Sequence, residues 1–109
     1  MRLILMFDLP VETNHQKGAY RKFIKFLDQD GFIRIQYSVY CKLCINKDSA
    51  ITESKRINSN APSEGEVRYL IITENQYQSI KCINNDYDLQ EAITTTDRTL
   101  IIGGFNDED

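Results

Sequence analysis

Residues 32–45 read FIRIQYSVYCKLCI. Phe32, Ile33 and Ile35, then Val39, Cys41 and Leu43, recur with the period of two that marks strands, and Gln36-Tyr37-Ser38 supplies the corner between them. This hairpin is flanked on both sides by helical signals. Before it, Thr13-Asn14-His15-Gln16 has the form of a capping box, in which the threonine hydroxyl accepts from a first-turn amide and the glutamine reaches back. From there Ala19, Tyr20, Phe23, Phe26 and Leu27 fall within one arc of about 120°, flanked by Ile24, and Asp30-Gly31 is a stop signal. After the hairpin, Asn46 can cap a second helix running through Asn60, with Ala50, Ile51, Ser54 and Ile57 on one side, ended by Ala61-Pro62.

Further out lie two more strands. Arg2 to Asp8 (RLILMFD) is a near-continuous apolar run, as a central strand requires, and Asp8-Leu9-Pro10 ends it because proline removes a ladder donor. Glu66 to Thr73 (EVRYLIIT) is the other. The order strand, helix, strand, strand, helix, strand predicts an α+β, ferredoxin-like βαββαβ antiparallel sheet with both helices on one face. Thr73 to Ser79 reads as one helical turn, Asn84 to Thr96 as polar turns, and Thr99 to Ile102 as an extra C-terminal strand. The expectation is a single domain over residues 1–103 with an acidic tail at 104–109, a solvated end that contributes little to the fold.

The composition agrees with one folded domain. The chain has 109 residues, 41 % hydrophobic, 27 % charged and 10 % aromatic, with five Gly and two Pro, which excludes disordered, collagen-like and low-complexity classes. No apolar run approaches the roughly 20 residues of a membrane span and no secretory signal pattern is present, so a soluble, cytoplasmic protein without membrane partners is expected. Three cysteines, an odd number, fit free thiols in a reducing compartment. Cys41 and Cys44 match C-x-x-C, but residues three apart on a strand point to opposite faces and no second pair exists to complete a zinc site, so core packing is the better reading.

Charge is unevenly placed. Net charge is -3, yet residues 1–47 carry eight Lys or Arg against four Asp or Glu, and residues 48–109 carry five against twelve. Lys17, Arg21 and Lys25 stand at successive i, i+4 positions with Lys22 nearby, making the back of the first helix basic. Such a stripe is commonly just a solvated face. Doubled by a twofold axis it becomes a positive track suited to sequence-independent, salt-sensitive binding of double-stranded DNA. The twofold follows from the fold: with both helices on one side, the other face of the sheet is left uncovered, and the simplest cover is a second copy, a homodimer.

Asp8 is the candidate for chemistry. A carboxylate at the end of a central strand is held by a rigid element, although an Asp before Leu-Pro can equally serve only its turn. In a homodimer with this strand near the axis, two copies of Asp8 approach, and such a pair needs a shared proton or a cation; oxygen-only ligands suit Mg2+ or Mn2+. An ion there lowers the pKa of bound water and stabilises charge on a phosphodiester, the chemistry of a nuclease. His15, at the helix start, reads as a solvated residue rather than a general base, while Ser38 and Arg21 can orient a phosphate or be purely structural. There is no Walker loop, no GxGxxG and no Ser-His-Asp ordering.

The stretches LILMFDLP (3–10), AYRKFIKFL (19–27), DGFIRIQYSVYCKL (30–43) and EGEVRYLIITENQY (64–77) together resemble the small "protein two" family of CRISPR-associated systems, the partner of the CRISPR integrase in spacer acquisition. The ending GFNDED resembles members from systems whose effector is a single large RNA-guided nuclease. The resemblance implies a ferredoxin-like homodimer whose terminal strand packs against the other subunit, sitting between two integrase dimers and helping to hold prespacer DNA. It also implies that Asp8 matches the strand-end Asp to which a shared Mg2+ and endoribonuclease or endodeoxyribonuclease activity are assigned in some members. Three functions follow from these readings: a DNA-holding scaffold for the integrase, an autonomous metal-dependent endonuclease acting on DNA or single-stranded RNA through paired Asp8, and a small-molecule-binding regulatory domain, disfavoured by the absence of a glycine-rich ligand loop.

Overall fold

The structure is a computed structural model and describes residues 1–84. The expected terminal strand at Thr99–Ile102 and the acidic tail lie outside the described residues. Residues Met1–Ile72 form one compact unit, and a second begins at Thr73.

In the first unit the elements are β1 (Arg2–Asp8), α1 (Asn14–Gln29), β2 (Ile33–Gln36), β3 (Val39–Leu43), α2 (Lys47–Asn60) and β4 (Glu66–Ile72). The sheet order is β2-β3-β1-β4, with every neighbouring pair antiparallel. Thus α1 crosses over β3 to join β1 to β2, and α2 crosses over β1 to join β3 to β4, the ferredoxin-like α+β topology read from the element order. Both helix starts are closed by reciprocal caps: the Thr13 hydroxyl accepts from the Gln16 amide at 3.1 Å while Gln16 Oε1 accepts from the Thr13 amide at 3.0 Å. Asn46 and Ser49 do the same for α2. Gly31 takes the left-handed conformation, φ 92°, that ends α1. In the second unit, Thr73 caps the single helical turn α3 (Glu74–Gln78) through Gln76. No described helix is long and apolar enough to cross a membrane.

The core lies between the helices and one face of the sheet. Leu3, Leu5 and Phe7 of β1 pack with Tyr40 of β3, Phe23 and Leu27 of α1, and Ala50 and Ile57 of α2. The register sets the opposite face: Ile4 pairs with Cys41 and Leu70, Met6 with Val39 and Arg68, Arg2 with Leu43 and Ile72, and Cys41 with Ile33. The apolar set Val39, Cys41 and Leu43, which marks β3 in the sequence, therefore lies on the face away from the helices, and Tyr40 enters the core in its place. On that outer face Arg2, Ile4 and Cys41 are buried, while Met6 (39 % exposed), Ile33 (50 %), Leu43 (61 %) and Leu70 (55 %) remain open, an apolar surface on the side of the sheet away from α1 and α2.

Candidate functional site

Asp8 is held at the carboxyl end of β1 from three directions. Phe7, beside it, packs against Phe23 (ring centroids 5.4 Å), Tyr40 (5.7 Å) and Tyr20 (6.4 Å). The Phe7 amide donates to the Ser38 carbonyl at 3.1 Å, across from the hairpin corner, where Ser38 sits at φ 67°. On the other side Gly65, φ 84°, lies so close that a β-carbon there would stand 2.5 Å from the Asp8 carbonyl oxygen. Being two residues beyond Met6, Asp8 shares the outer, apolar face of the sheet, and its side chain is exposed. It lines an open groove of about 340 Å³ with Met6, Phe7, Glu66 and Arg68.

The groove brings in a partner that the sequence reading did not single out. Asp8 stands directly opposite Glu66 in the β1–β4 ladder. Two carboxylates in that position repel, and Arg68 offsets the charge by donating to Glu66 Oε1 at 2.9 Å. This pair is exposed and contributes little stability, but it engages one oxygen of Glu66, whereas the Asp8 carboxylate has no ion pair among the described residues. Among the described residues of one chain no group of three or more His, Cys, Asp or Glu is placed to hold a metal ion. His15 lines a different, smaller recess with Leu9, Pro10 and Glu64.

On the helix side of the sheet, Lys17, Arg21, Lys22 and Lys25 are all exposed, and among the described residues none of them forms an ion pair. At about 100° per residue Lys17, Arg21 and Lys25 form one ridge stepping by about 40°, whereas Lys22 stands about 100° round from Arg21, toward the flank where Arg56 of α2 covers Phe26 at 5.8 Å. Lys17, Arg21 and Lys25 thus form the ridge, with Lys22 exposed beside it. Cys41 and Cys44 are buried; Cys44 joins the core, and burial, with Glu53 nearby, pushes its thiol up, away from reactivity.

A profile of the CRISPR associated protein Cas2 family matches residues 1–80. The chain belongs to the CRISPR-associated Cas2 family. It is 47 % identical over 102 residues to the CRISPR-associated endoribonuclease Cas2 of Ligilactobacillus salivarius, covering 94 % of this chain and 100 % of the relative. It is 40 % identical over 110 residues to the protein of the same description from Streptococcus mutans serotype c strain UA159, covering 99 % of each. The crystal structure of Streptococcus pyogenes Cas2 at pH 6.5 superposes with a TM-score of 0.58 at 17 % identity, over 76 % of this chain and 99 % of that one, a likeness of fold.

This Cas2 chain also buries an ionic cluster at the junction of α1, β3 and α2. Arg56 Nη2 donates to Asp30 Oδ1 at 2.7 Å and Lys42 Nζ to Glu53 Oε1 at 3.1 Å, while Asp30 Oδ2 and Glu53 Oε2 are buried without a hydrogen-bond donor of their own. Each of those oxygens faces a cation at longer range, Asp30 Oδ2 the Lys42 ammonium at 3.5 Å and Glu53 Oε2 the Arg56 Nε at 3.8 Å. Burial, then the neighbouring Asp30 carboxyl, raises the Glu53 pKa; burial acts the same way on Asp30, but Glu53 and the bonded Arg56 beside it outweigh it and hold Asp30 below the usual range. A raised carboxyl stabilises the fold only while protonated, so Glu53 contributes at acidic pH and loses that contribution as pH rises through its elevated pKa. Glu53→Gln, which mimics the protonated form, is therefore expected to gain thermal stability relative to wild type as pH is raised from the ordinary carboxylate range to neutrality. Parallel melting curves across that range check this; a difference independent of pH contradicts it.

Proposed function

We propose that the chain acts in CRISPR adaptation as a homodimeric scaffold that bridges CRISPR integrase dimers and holds double-stranded prespacer DNA. The observation that carries this reading is the division of labour between the two sides of the sheet. Asp8 and the open apolar residues Met6, Ile33, Leu43 and Leu70 share one face, and the exposed cations Lys17, Arg21 and Lys25, unpaired among the described residues, ride on the helix that covers the other. A second copy closing on the apolar face removes that surface from water and leaves both ridges outward, where they meet phosphates. The same closure brings the two Asp8 carboxylates toward the axis.

A second reading, favoured by the exposed Asp8 and by the relatives' description as endoribonucleases, is a Mg2+-dependent endonuclease acting on RNA or DNA. Hard oxygen donors from two copies of Asp8 suit Mg2+ or Mn2+, which keep several waters and take one or two carboxylates. Such an ion would supply charge stabilisation at a phosphodiester; the protein's own part is to orient Asp8 through Phe7, Ser38 and Gly65.

The test separates the readings. Sedimentation equilibrium is expected to give twice the 12.7 kDa chain mass for wild type and for Asp8→Ala. In the scaffold reading Asp8→Ala supports spacer integration with the cognate integrase as well as wild type does, and in the nuclease reading it loses metal-dependent cleavage. A monomer that neither binds the integrase nor supports integration overturns the scaffold, and equal cleavage by both proteins overturns the nuclease.

A further inference from the structure

The hairpin corner between β2 and β3 carries an arrangement that neither the core nor the strand-end carboxylate uses. Tyr37 is 71 % exposed, and the Arg34 guanidinium lies over its ring at 5.6 Å from the centroid. Among the described residues Arg34, itself exposed, forms no ion pair. An exposed tyrosine on a turn with a left-handed serine is costly to order, yet this one has company: its phenol lies near that of Tyr20 on α1, whose pKa is raised by burial and then by the neighbouring Tyr37. Tyr20 in turn packs its ring edge on Phe7. The corner thus lies against α1, and the arginine lies on the corner's ring.

The place of attachment matters. On α1, Tyr20 and Ile24 stand about 60° and 20° to one side of Lys17, and Arg21 and Lys25 about 40° and 80° to the other. Travelling round the helix from the hairpin, one meets Tyr20 first and then the three cations in succession. Arg34, which faces the helix side of the sheet opposite Tyr40, therefore adds a cation on edge strand β2, on the Tyr20 side of the α1 ridge. Its positive charge is felt by both Tyr20 and Tyr40, and the acidic group on this flank, Asp28, acts on Tyr40 from the end of α1.

We propose that Arg34 and Tyr37 form a second phosphate-binding element, on the Tyr20 side of the Lys17-Arg21-Lys25 ridge, that grips the backbone of double-stranded DNA: Arg34 makes the contact and Tyr37 positions it. The inference rests on the DNA-holding reading and names residues on a different element. A planar guanidinium lying on an aromatic ring retains its edge donors for phosphate oxygens while losing much of its rotamer freedom, so less entropy is lost on binding. Because the ring face is covered by arginine and duplex bases are already stacked, the tyrosine acts as a wall rather than as a stacking platform, and no sequence preference follows.

The experiment is a salt titration of full-length protein with a fluorescent duplex of arbitrary sequence. Arg34→Gln is expected to weaken binding by about tenfold at physiological salt and to lower the slope of log K against log salt by about one per engaged protomer. Arg34→Lys keeps the slope with a smaller loss of affinity. Tyr37→Ala approaches Arg34→Gln in affinity, and Tyr37→Phe, which keeps the ring, restores most of the binding; a merely structural role does not distinguish these two when melting temperatures are matched. Lys55→Gln on exposed α2 controls for net charge. An unchanged slope in Arg34→Gln, with the ridge variants still impaired, overturns this inference and leaves the DNA-holding reading intact. Wild type that does not bind the duplex overturns both, and Arg34-dependent binding confined to single-stranded RNA overturns the assignment to DNA.

Discussion

Replacing Lys17, Arg21 and Lys25 together with glutamate is expected to abolish duplex binding and spacer integration while leaving a folded dimer that retains any Asp8-dependent cleavage. The three side chains are exposed and, among the described residues, unpaired, so no buried group loses a partner. Like charges at i, i+4 already cost α1 a few tenths of a kcal/mol per pair, and the reversed stripe repels itself to the same degree, so the helix changes little in stability. Binding responds far more. Each phosphate neutralised releases a counterion and adds about 0.9 to the salt slope, so a dimer presenting six ridge cations loses about five from that slope and, with repulsion added, on the order of a thousandfold or more in affinity at physiological salt. Lys22→Glu, turned toward the α2 flank, is expected to weaken binding by much less. Fluorescence anisotropy over a salt series, paired with an integration assay, decides the matter: a triple variant that binds and integrates normally removes the ridge from the interface.

Gly65→Ala is expected to be the most destabilising single methyl addition in the described chain. The added carbon meets backbone on two sides, the Asp8 carbonyl oxygen at 2.5 Å and Leu9 Cα at 3.0 Å, and neither can turn aside as a flexible side chain would. The position also lies at φ 84°, where an L side chain is strained. Together these cost about 3 kcal/mol, enough to lower the melting temperature of a unit this size by more than about 10 °C. Relief comes by moving Asp8 away from Glu66 at the end of the ladder, so surviving protein should also lose whatever function depends on Asp8. The same substitution at Gly18, with open space around its would-be methyl and α1 geometry favouring alanine, is expected to raise stability by about 1 kcal/mol. Thermal unfolding followed by circular dichroism checks both signs; a Gly65→Ala protein melting within a degree or two of wild type contradicts the proposed contact.

Which parts of this molecule are legible in its amino-acid order depends on how far apart the interacting residues lie. The helix starts at Thr13 and Asn46, the stop at Gly31 and the turn at Tyr37-Ser38 all rest on hydrogen bonds or dihedral preferences spanning three or four residues, and each was readable. The ridge of Lys17, Arg21 and Lys25 follows from helical period alone, and the position of Asp8 at a strand end follows from the proline two residues on. The offset of Lys22 by about 100° follows from the same period, and only what it faces, the flank where Arg56 covers Phe26, needs the packed helices.

The remainder needed the tertiary structure. That Asp8 faces Glu66 and Arg68 is a matter of β1–β4 register, set by the pairing of strands almost sixty residues apart, and a shift of one residue would have turned each side chain to the other face. That Glu53, a residue whose type argues for solvent, is buried beside Asp30 comes from the docking of α2 over the α1 terminus and β3. That Tyr37 comes near Tyr20, with Arg34 lying over its ring, brings a turn and a helix together across the hairpin. Short-range propensity therefore determines the elements and the charged stripe, whereas the company kept by Asp8, Glu53 and Arg34 is decided by packing, since burial and strand pairing are properties of the assembled chain and not of any segment within it.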